Sequence, residues 1–366
     1  MVAVTKCLRL SRRDNVVQPR VARHELRWVT EQRFSSTLNG LHQCGARLIC
    51  ALWCLLWTGV FTASSGQTNS PKPTVMVLIG APGEEDFGKV FAEATESWRR
   101  AAEKAEANFI EIGTASHAST NDLEDFRAAL AKEPTNSLAE LWIVLIGHGT
   151  FDGRETKFNL RGPDLSAGTL SNLLSGFQRP VAIINGASSS APFIKSLSGK
   201  NRVVVTATRS GAEENFTRFG KYMAQTIADS EADLDKDGQT SLLEAFLMAS
   251  RQVNEFYKTE GRLATEHALI DDNGDGLGTP ADWFRGIRAV KKSADKSPLD
   301  GTRAHQWHLI RSTQDQKLSP EQRKKRDDLE LEISQLRQLK PSLQETEYYD
   351  RLEKLLTELG AIVEPR

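Results

Sequence analysis

The chain has 366 residues, of which 39% are hydrophobic, and this is enough for one sizeable core and a smaller appendage. Lys and Arg (47 residues) nearly balance Asp and Glu (48 residues), and no dense basic stripe with interleaved aromatic residues occurs. This composition excludes a typical nucleic-acid-binding protein. Small molecules, ions and other proteins remain as partners.

The longest apolar run lies near the amino terminus, at residues 48–61 (LICALWCLLWTGVF). It follows Arg47 and is succeeded by small polar residues, an order that is typical of a signal peptide, and it is too short to cross a bilayer. We therefore predict a leader and signal peptide over residues 1–66 and an exported protein, secreted or held in the periplasm or cell envelope. A short membrane anchor is the alternative. The long segment before the run indicates that translation starts later than Met1.

The four cysteines all lie in or before this run, at Cys7, Cys44, Cys50 and Cys54. After removal of the signal peptide the protein is expected to contain no disulfide, no thiolate metal site and no cysteine nucleophile. It is also expected to contain no membrane span.

From Thr74 onward, short apolar runs alternate with amphipathic stretches, as expected for the strands and crossover helices of a parallel sheet. The apolar runs predict strands at residues 74–79, 109–112, 141–146, 180–184 and 202–207. Helical spacing predicts helices over residues 85–107 and 121–131, and the mixed segment 158–170 is predicted to be an extended loop. Together they predict an α/β domain over residues 74–229, with an open, mostly parallel sheet flanked by helices.

The last third of the chain is predicted to be helical. Helices are expected over residues 215–227 and after residue 244, on the two sides of an acidic loop. Capping-box openings at residues 319–322 and 342–345, each followed by apolar residues at helical spacing, predict a helical hairpin over residues 315–362. A short coiled coil is the alternative, so self-association through this segment is a further hypothesis.

Residues 233–244 (DLDKDGQTSLLE) match the 12-residue calcium loop of an EF-hand. Such a loop surrounds Ca²⁺ with oxygens from alternate positions and from an acid at position 12, and glycine at position 6, here Gly238, allows the sharp turn. The predicted ligands are Asp233, Asp235, Asp237, Gln239 (through its backbone carbonyl), Ser241 (directly or through water) and Glu244. We therefore predict a calcium site.

A second and weaker match is residues 271–282 (DDNGDGLGTPAD). The predicted ligands are Asp271, Asn273, Asp275, Leu277 (through its carbonyl), Thr279 and Asp282. Asp at position 12 is shorter than Glu, and Gly278 replaces the apolar residue that normally pairs two such loops, so an Asx-rich turn without metal is the alternative. The spacing of the two matches predicts an EF-hand pair over residues 230–296.

Polar residues also follow two predicted strands of the sheet. His148 and Gly149 come directly after the strand at 141–146, and a run of serines that includes Ser188 follows the strand at 180–184. Carboxyl ends of parallel strands meet at one edge of a sheet, where ligands and catalytic groups gather. A histidine at a strand end and a serine-rich turn are nevertheless more often structural than catalytic.

Three segments resemble those of the legumain and caspase-like cysteine peptidases, in the same order: LIGHG (145–149), GASSSA (186–191) and VVVTATRSGAEE (203–214). The resemblance covers roughly residues 74–229. It implies a mostly parallel sheet, His148 as general acid or base, and the amide of Gly149 in an oxyanion hole. The position of the family's cysteine nucleophile falls on Ser188, a much weaker acid.

A serine nucleophile would need His148 to remove its proton, and a third group to orient the imidazole. Asp152 is the nearest candidate in sequence for that group. We favour a protein that is inactive as a cysteine peptidase and acts by binding a peptide or protein. The alternatives are an endopeptidase that uses Ser188 and His148, and a calcium-dependent structural or interaction protein of the cell envelope.

Overall fold

The structure, a computed structural model, describes residues 71–114, 120–291 and 298–363. The predicted leader and signal peptide and all four cysteines lie outside the described residues. Among the helices in the described ranges, none combines the length and the apolar character needed to cross a bilayer.

The chain alternates strands and helices over its first half. In order these are β1 (Thr74–Ile79), α1 (Glu85–Lys104), β2 (Asn108–Ile112), α2 (Asp122–Leu130), β3 (Leu141–Ile146), β4 (Gly149–Phe151), β5 (Thr156–Phe158), β6 (Leu165–Ser166), α3 (Ala167–Leu173), β7 (Val181–Asn185), α4 (Pro192–Leu197) and β8 (Arg202–Thr206).

The second half is richer in helix. It contains α5 (Phe219–Thr226), α6 (Leu242–Thr259), β9 (Leu269–Asp271), β10 (Thr279–Pro280), β11 (Phe284–Arg285), β12 (Arg288–Ala289), α7 (Thr302–Gln306), α8 (Pro320–Leu339) and α9 (Glu345–Val363).

A mixed, mostly parallel sheet of seven strands forms the centre of the fold, in the order β10-β9-β8-β7-β3-β1-β2. Strands β1, β2, β3, β7 and β8 pair in parallel, and β9 and β10 add antiparallel partners at one edge. The predicted α/β architecture is therefore confirmed. The carboxyl ends of β3 and β7 lie side by side, which places His148 and Ser188 at the same edge.

The buried strands divide the core into two layers because successive side chains point to opposite faces of a sheet. Val75 and Val77 of β1 face the layer that contains α1, α5 and α6, whereas Met76 and Leu78 face the layer that contains α2, α3 and α4. Both faces are covered, and this explains why β1 and β3 are continuous apolar runs rather than alternating ones.

Two segments differ from the sequence-based predictions. The segment predicted to be an extended loop at 158–170 contributes β5 and β6 to a small antiparallel sheet with β4, and α3 begins within it. The helix predicted from residue 215 begins only at Phe219. Its start is set by Glu266, whose buried carboxylate accepts hydrogen bonds from the backbone N–H groups of Arg218 (2.8 Å) and Phe219 (2.9 Å). The Tyr257 hydroxyl also donates to Glu266 (3.1 Å).

Replacement of Glu266 by Ala is expected to lower the free energy of unfolding by about 3 kcal/mol, because it leaves the part-buried N–H of Arg218 and the buried N–H of Phe219 without an acceptor at the start of α5. Urea denaturation measures the change. Glu260→Ala, which alters an exposed acid at the end of α6, serves as the matched control and is expected to change stability by less than about 0.5 kcal/mol. Equal stability of the two variants would contradict the capping role.

The carboxyl-terminal helices α8 and α9 form the predicted hairpin. Ser319 caps α8 in a capping box with Gln322, as expected from the sequence. The second predicted capping box does not form, since the Ser342 hydroxyl donates to the carbonyl of Leu339 and α9 begins only at Glu345. Leu329, Ile333 and Leu336 of α8 and Tyr348 of α9 are buried.

Candidate metal centres and the histidine edge

Loop 1 (residues 233–244) lies between a 3₁₀ turn and α6. The carboxylates of Asp233, Asp235 and Asp237 converge, with ligand atoms within 4.8 Å of one another. Two oxygens that bind one calcium ion at 2.3–2.6 Å lie at most about 5 Å apart. The three side chains are therefore spaced to bind a single ion of this size.

Backbone amides orient the first ligand of loop 1. Asp233 accepts hydrogen bonds from the N–H groups of Lys236 (2.7 Å) and Gly238 (3.1 Å), and both of these residues have positive φ, 64° and 89°. Each carboxylate oxygen has lone pairs beyond those that accept an amide hydrogen. The hydrogen bonds therefore hold Asp233 in place without removing its capacity to bind a cation.

Glu244, at position 12 of loop 1, is fully buried in the first turn of α6. It accepts hydrogen bonds from the N–H groups of Leu234 (2.7 Å) and Asp235 (3.3 Å) and from the Ser241 hydroxyl (2.8 Å). The Ser241 hydroxyl also accepts from the Glu244 N–H in a capping box. Thus Ser241 is already engaged with Glu244, which favours its predicted contact with calcium through water rather than a direct one.

Loop 2 (residues 271–282) repeats this hydrogen-bond pattern in a different setting. Asp271 accepts from the N–H groups of Gly274 and Gly276, both at 3.0 Å, as Asp233 does from the residues at the same loop positions. Asn273 accepts from the Asp275 N–H (2.8 Å), and Asp275 accepts from the N–H of Leu277 (2.7 Å). The first four predicted ligand positions of loop 2 therefore take part in the same hydrogen bonds with backbone N–H groups as the corresponding positions of loop 1.

The surroundings of loop 2 differ from the predicted helix–loop–helix unit. Loop 2 connects β9 to β10 at the edge of the central sheet, and a Cβ at Gly278 would lie 2.7 Å from Ile194 Cδ1. Loop 1 forms its β-bridge with His308 through Ser241. The two loops therefore do not form the predicted EF-hand pair, because each is joined to another part of the fold.

The acid that closes loop 2 is Asp300, which sequence reasoning missed. Asp282, predicted at position 12, is exposed in the 3₁₀ turn after β10. The buried Asp300 accepts hydrogen bonds from the N–H groups of Asp272 (3.0 Å) and Asn273 (3.2 Å) and from the Thr279 hydroxyl. These donors occupy loop positions 2, 3 and 9, the same positions that donate to Glu244 in loop 1.

Three buried carboxylates meet at loop 2. Burial first, and the neighbouring charge of Asp272 second, raise the pKa of Asp300 to about 8. Burial also raises the pKa of Asp271 and of Asp272 above their ordinary values. Like charges this close disfavour one another in a low dielectric, so the cluster gains most from a bound cation or a bound proton.

This cluster predicts an unusual pH dependence for calcium-free protein. Because the folded-state pKa of Asp300 (about 8) exceeds the value of about 3.9 in an unfolded chain, the folded state binds the proton more tightly. This contribution is fully present below about pH 4 and is lost as the pH rises through 8. The free energy of unfolding of the wild type should therefore fall between pH 5 and pH 8. We expect this fall to be smaller by at least about 1 kcal/mol in Asp300→Asn, which cannot bind the proton. Urea titrations at both pH values measure it, and an identical pH dependence in the two proteins would contradict the assignment.

One segment contacts both loops, and we call it the bridging segment (residues 300–312). Near loop 2, Asp272 accepts from the N–H groups of Gly301 (2.9 Å) and Ala304 (2.8 Å). Near loop 1, His305 Nε2 lies 2.9 Å from an oxygen of Asp235, and the Ser312 N–H donates to the Gln239 side chain (3.0 Å).

Two histidines of the bridging segment lie close to loop 1. Asp235, Glu244 and His305 have ligand atoms within 4.8 Å of one another, so an imidazole nitrogen is within reach of the same ion. Carboxylates outnumber it, and oxygen ligands favour calcium over zinc or copper. His308 is buried, and burial lowers its pKa to about 4, so it adds no positive charge beside the loop at neutral pH.

At the opposite side of the fold, His148 is packed among aromatic rings. Its ring centroid lies 4.7 Å from that of Phe87, 5.4 Å from that of Phe91 and 5.8 Å from that of Phe216. Nε2 lies 3.3 Å from the carbonyl oxygen of Pro82. The imidazole thus belongs to an aromatic cluster at the carboxyl edge of β3.

Ser188 is bonded to the backbone of Gly149 rather than to His148. Its hydroxyl donates to the Gly149 carbonyl (3.0 Å) and accepts from the Gly149 N–H (3.1 Å), and the residue is 4% exposed. The single hydroxyl hydrogen is used, and the amide assigned to an oxyanion hole is occupied. Asp152 accepts from the N–H groups of Arg154 and Glu155 within its own turn. Within the described ranges, no hydrogen bond joins His148 to either residue.

Comparisons with known proteins provide little further information. No protein-family model matches the chain, and no curated protein matches it. Among solved structures, the chain is weakly similar to the Drosophila initiator caspase Dronc, with 12% sequence identity and a TM-score of 0.37. The match covers 57% of this chain and 81% of that one. Such a likeness concerns general architecture alone, so the side chains themselves must indicate the function.

Proposed function

We propose that the protein binds calcium in loop 1 and loop 2, and that the two ions fix the bridging segment against the sheet domain. The observation that carries this proposal is the shared hydrogen-bond pattern of the two loops. Glu244 and Asp300 take donors from the same three loop positions, although one acid lies within its loop and the other does not.

The chemistry of the donors favours calcium over other common ions. Loop 1 offers four carboxylates, Asp233, Asp235, Asp237 and Glu244. At loop 2, Asp271 and Asp275 of the loop and Asp300 of the bridging segment offer three, together with the amide oxygen of Asn273. Calcium takes six to eight oxygens in a flexible geometry, whereas magnesium demands a near-ideal octahedron and retains its water. Because affinity follows ligand charge, loop 1 is expected to bind more tightly than loop 2.

Isothermal titration of calcium-stripped protein tests the proposal. With CaCl₂ we expect a heat of binding with a stoichiometry of two ions per chain, one at each loop. With MgCl₂ we expect much weaker binding. If the protein is exported, as the predicted signal peptide indicates, dissociation constants of about 10⁻⁴ to 10⁻³ M are sufficient for occupancy. Asp350→Ala, at an exposed position on α9, is the matched control and should leave both sites unchanged. A titration without calcium heat would refute the proposal.

We further propose that the carboxyl edge of the sheet binds a peptide or protein without cleaving it. The half-buried Phe87, Phe216 and His148 offer an aromatic surface there. Ser188 is poorly suited to attack a carbonyl, because its hydroxyl is bonded to Gly149 and is 3.0–3.1 Å from both of that residue's backbone groups. The endopeptidase hypothesis would require this serine to turn toward His148.

A pooled peptide library, incubated with the protein in the presence and absence of calcium, distinguishes binding from cleavage. We expect no turnover by the wild type, Ser188→Ala or His148→Ala. Ser188→Ala is expected to lower the free energy of unfolding by about 1–2 kcal/mol, since both Gly149 backbone groups lose a partner. Turnover by the wild type that disappears in both variants would establish the endopeptidase instead.

The hairpin supports a third candidate function, assembly of the protein with itself. Leu339, Tyr349 and Leu356 are 47–51% exposed on α8 and α9, so the hairpin offers apolar side chains to a second copy of the chain. Sedimentation velocity measures this directly. A calcium-dependent change in sedimentation coefficient would favour a structural or interaction protein over a monomeric binding protein.

A further inference from the structure

A cavity of about 480 Å³ lies at the amino ends of the central strands, at the edge of the sheet opposite to His148. Its walls come from the segments before β3, β7 and β8 and from α7 and α8. A volume of this size is typical of sites for small organic ligands. Neither the calcium loops nor the histidine edge uses this space.

The cavity is lined by an excess of positive charge. Six Lys and Arg side chains and four Asp and Glu side chains face it. The acidic groups have cationic partners: Glu140 pairs with Arg311 (2.6 Å), Asp315 pairs with Arg311 and Arg326, Asp327 pairs with Arg326 and Asp328 pairs with Lys324. Each acid of the wall is therefore already paired with a cation of the wall, although three cations are shared among four acids.

Within the part of the chain that the structure describes, two arginines in the wall form no ion pair with a carboxylate. Arg323 donates through Nη1 to the backbone carbonyls of Asp315 and Leu318, and Arg303 donates through Nη1 to the side-chain oxygen of Asn201 (3.3 Å). Within the described residues, neither guanidinium has a carboxylate oxygen within 4.0 Å. Each guanidinium carries five N–H donors, so both retain donors for a ligand.

The pKa of Arg323 is consistent with the absence of a carboxylate partner in the described ranges. Burial first, and the positive charge of Arg311 second, lower the pKa of Arg323 below its ordinary value. Asp315 and Glu140 act in the opposite direction, but the pKa of Arg323 is lowered on balance, so its positive charge is disfavoured at this position. An anion that entered the cavity would offset this effect and would be bound through charge-assisted hydrogen bonds.

Part of the remaining wall is apolar. Leu138, Phe177, Trp307 and Pro320 contribute to it, beside uncharged polar side chains such as Gln178. A ligand that combines an oxyanion with an aromatic or aliphatic group would therefore contact both the charged and the apolar parts of the wall. A bare inorganic ion would leave the apolar walls uncovered and would gain nothing from them.

We propose that this cavity binds a small organic oxyanion, a carboxylate or a phosphate monoester with an apolar group, through Arg323 and Arg303. The planar guanidinium matches either oxyanion in a two-point contact. The cavity contains none of the proposed calcium ligands and lies at the opposite edge from His148, so this is a function in addition to those proposed above. Arg303 belongs to the bridging segment, so the site is tested in the calcium-loaded protein.

Calorimetric titration of the calcium-loaded full chain tests the site with three probes: phenyl phosphate, benzoate and inorganic phosphate. We expect phenyl phosphate or benzoate to bind at least about tenfold more tightly than inorganic phosphate, and the stronger of the two identifies the oxyanion. Arg323→Gln is expected to weaken binding by at least about tenfold, since it removes a charged hydrogen-bond donor. Arg303→Gln should weaken it as well.

Lys325→Gln is the matched control, because Lys325 lies on the exposed side of α8 and does not line the cavity. It should leave the affinity within about twofold. Arg323 also bonds to backbone carbonyls, so circular dichroism of each variant confirms folding, and Arg303→Gln provides an independent test if Arg323→Gln unfolds. The proposal is overturned if neither organic probe binds, or if both arginine variants bind as the wild type does.

Discussion

Removal of calcium is expected to lower the melting temperature of the protein by about 10–20 °C. Four carboxylates in loop 1 and three in loop 2 lose the cation that offsets their repulsion, and Asp233, Glu244, Asp271 and Asp300 are buried. A ligand at a hundred times its dissociation constant stabilises a fold by about 2.7 kcal/mol per site. Each kcal/mol changes the melting temperature of a chain of this size by roughly 2–4 °C.

Differential scanning calorimetry with excess calcium and with excess chelator measures this shift. Asp233→Ala should reduce it by about half, because the variant retains loop 2. Asp350→Ala, an exposed acid on the same chain, should retain the full shift. A melting temperature that is equal with calcium and with chelator would mean that the loops are not stabilised by the ion, whatever their hydrogen bonds.

Replacement of Asp300 by Asn is expected to weaken calcium binding at loop 2 on the order of a hundredfold, whereas the same replacement of Asp282 should have no effect. Asn keeps the shape of Asp and an oxygen that can accept from the Asp272 and Asn273 N–H groups, but it removes the negative charge. Ligand charge is a main determinant of affinity in such loops. Loop 1 should bind as before in both variants.

Calcium titration of both variants by calorimetry makes the comparison direct. The two substitutions are chemically identical, but Asp300 is buried and Asp282 is exposed. Unchanged calcium binding at loop 1 in the same titration therefore shows that a loss at loop 2 does not come from a general loss of stability. Loss of the weaker site in Asp282→Asn, with retention in Asp300→Asn, would show that the loop closes on its own twelfth residue instead.

Much of the sheet is readable from the sequence. Strands β1 and β3 are fully buried on both faces, so they appear as uninterrupted apolar runs with sharp ends. Loop 1 is equally readable, since its acids from Asp233 to Glu244 lie within twelve residues and their spacing reflects local geometry. In both cases the residues that carry the signal are close together in the sequence.

The features that sequence reasoning missed depend on contacts between distant segments. Asp300 contacts loop 2 only because the bridging segment folds back against that loop. A single Asp before Gly301 is not a motif from which this contact could be predicted. The same holds for Glu266, which sets the start of α5 from a position far along the chain. The sequence predicted that His148 and Ser188 lie at the same edge of the sheet. It did not predict that the Ser188 hydroxyl donates its hydrogen bond to Gly149.

Crystals grown with calcium test the central claim most directly, through an anomalous difference map collected at a long wavelength. We expect one peak within calcium–oxygen distance of Asp233, Asp235, Asp237 and Glu244, and another within that distance of Asp271, Asn273, Asp275 and Asp300. Peaks at neither loop, in crystals that contain millimolar calcium, would contradict the account. A peak at loop 2 bound by Asp282 rather than Asp300 would contradict its closure by the bridging segment.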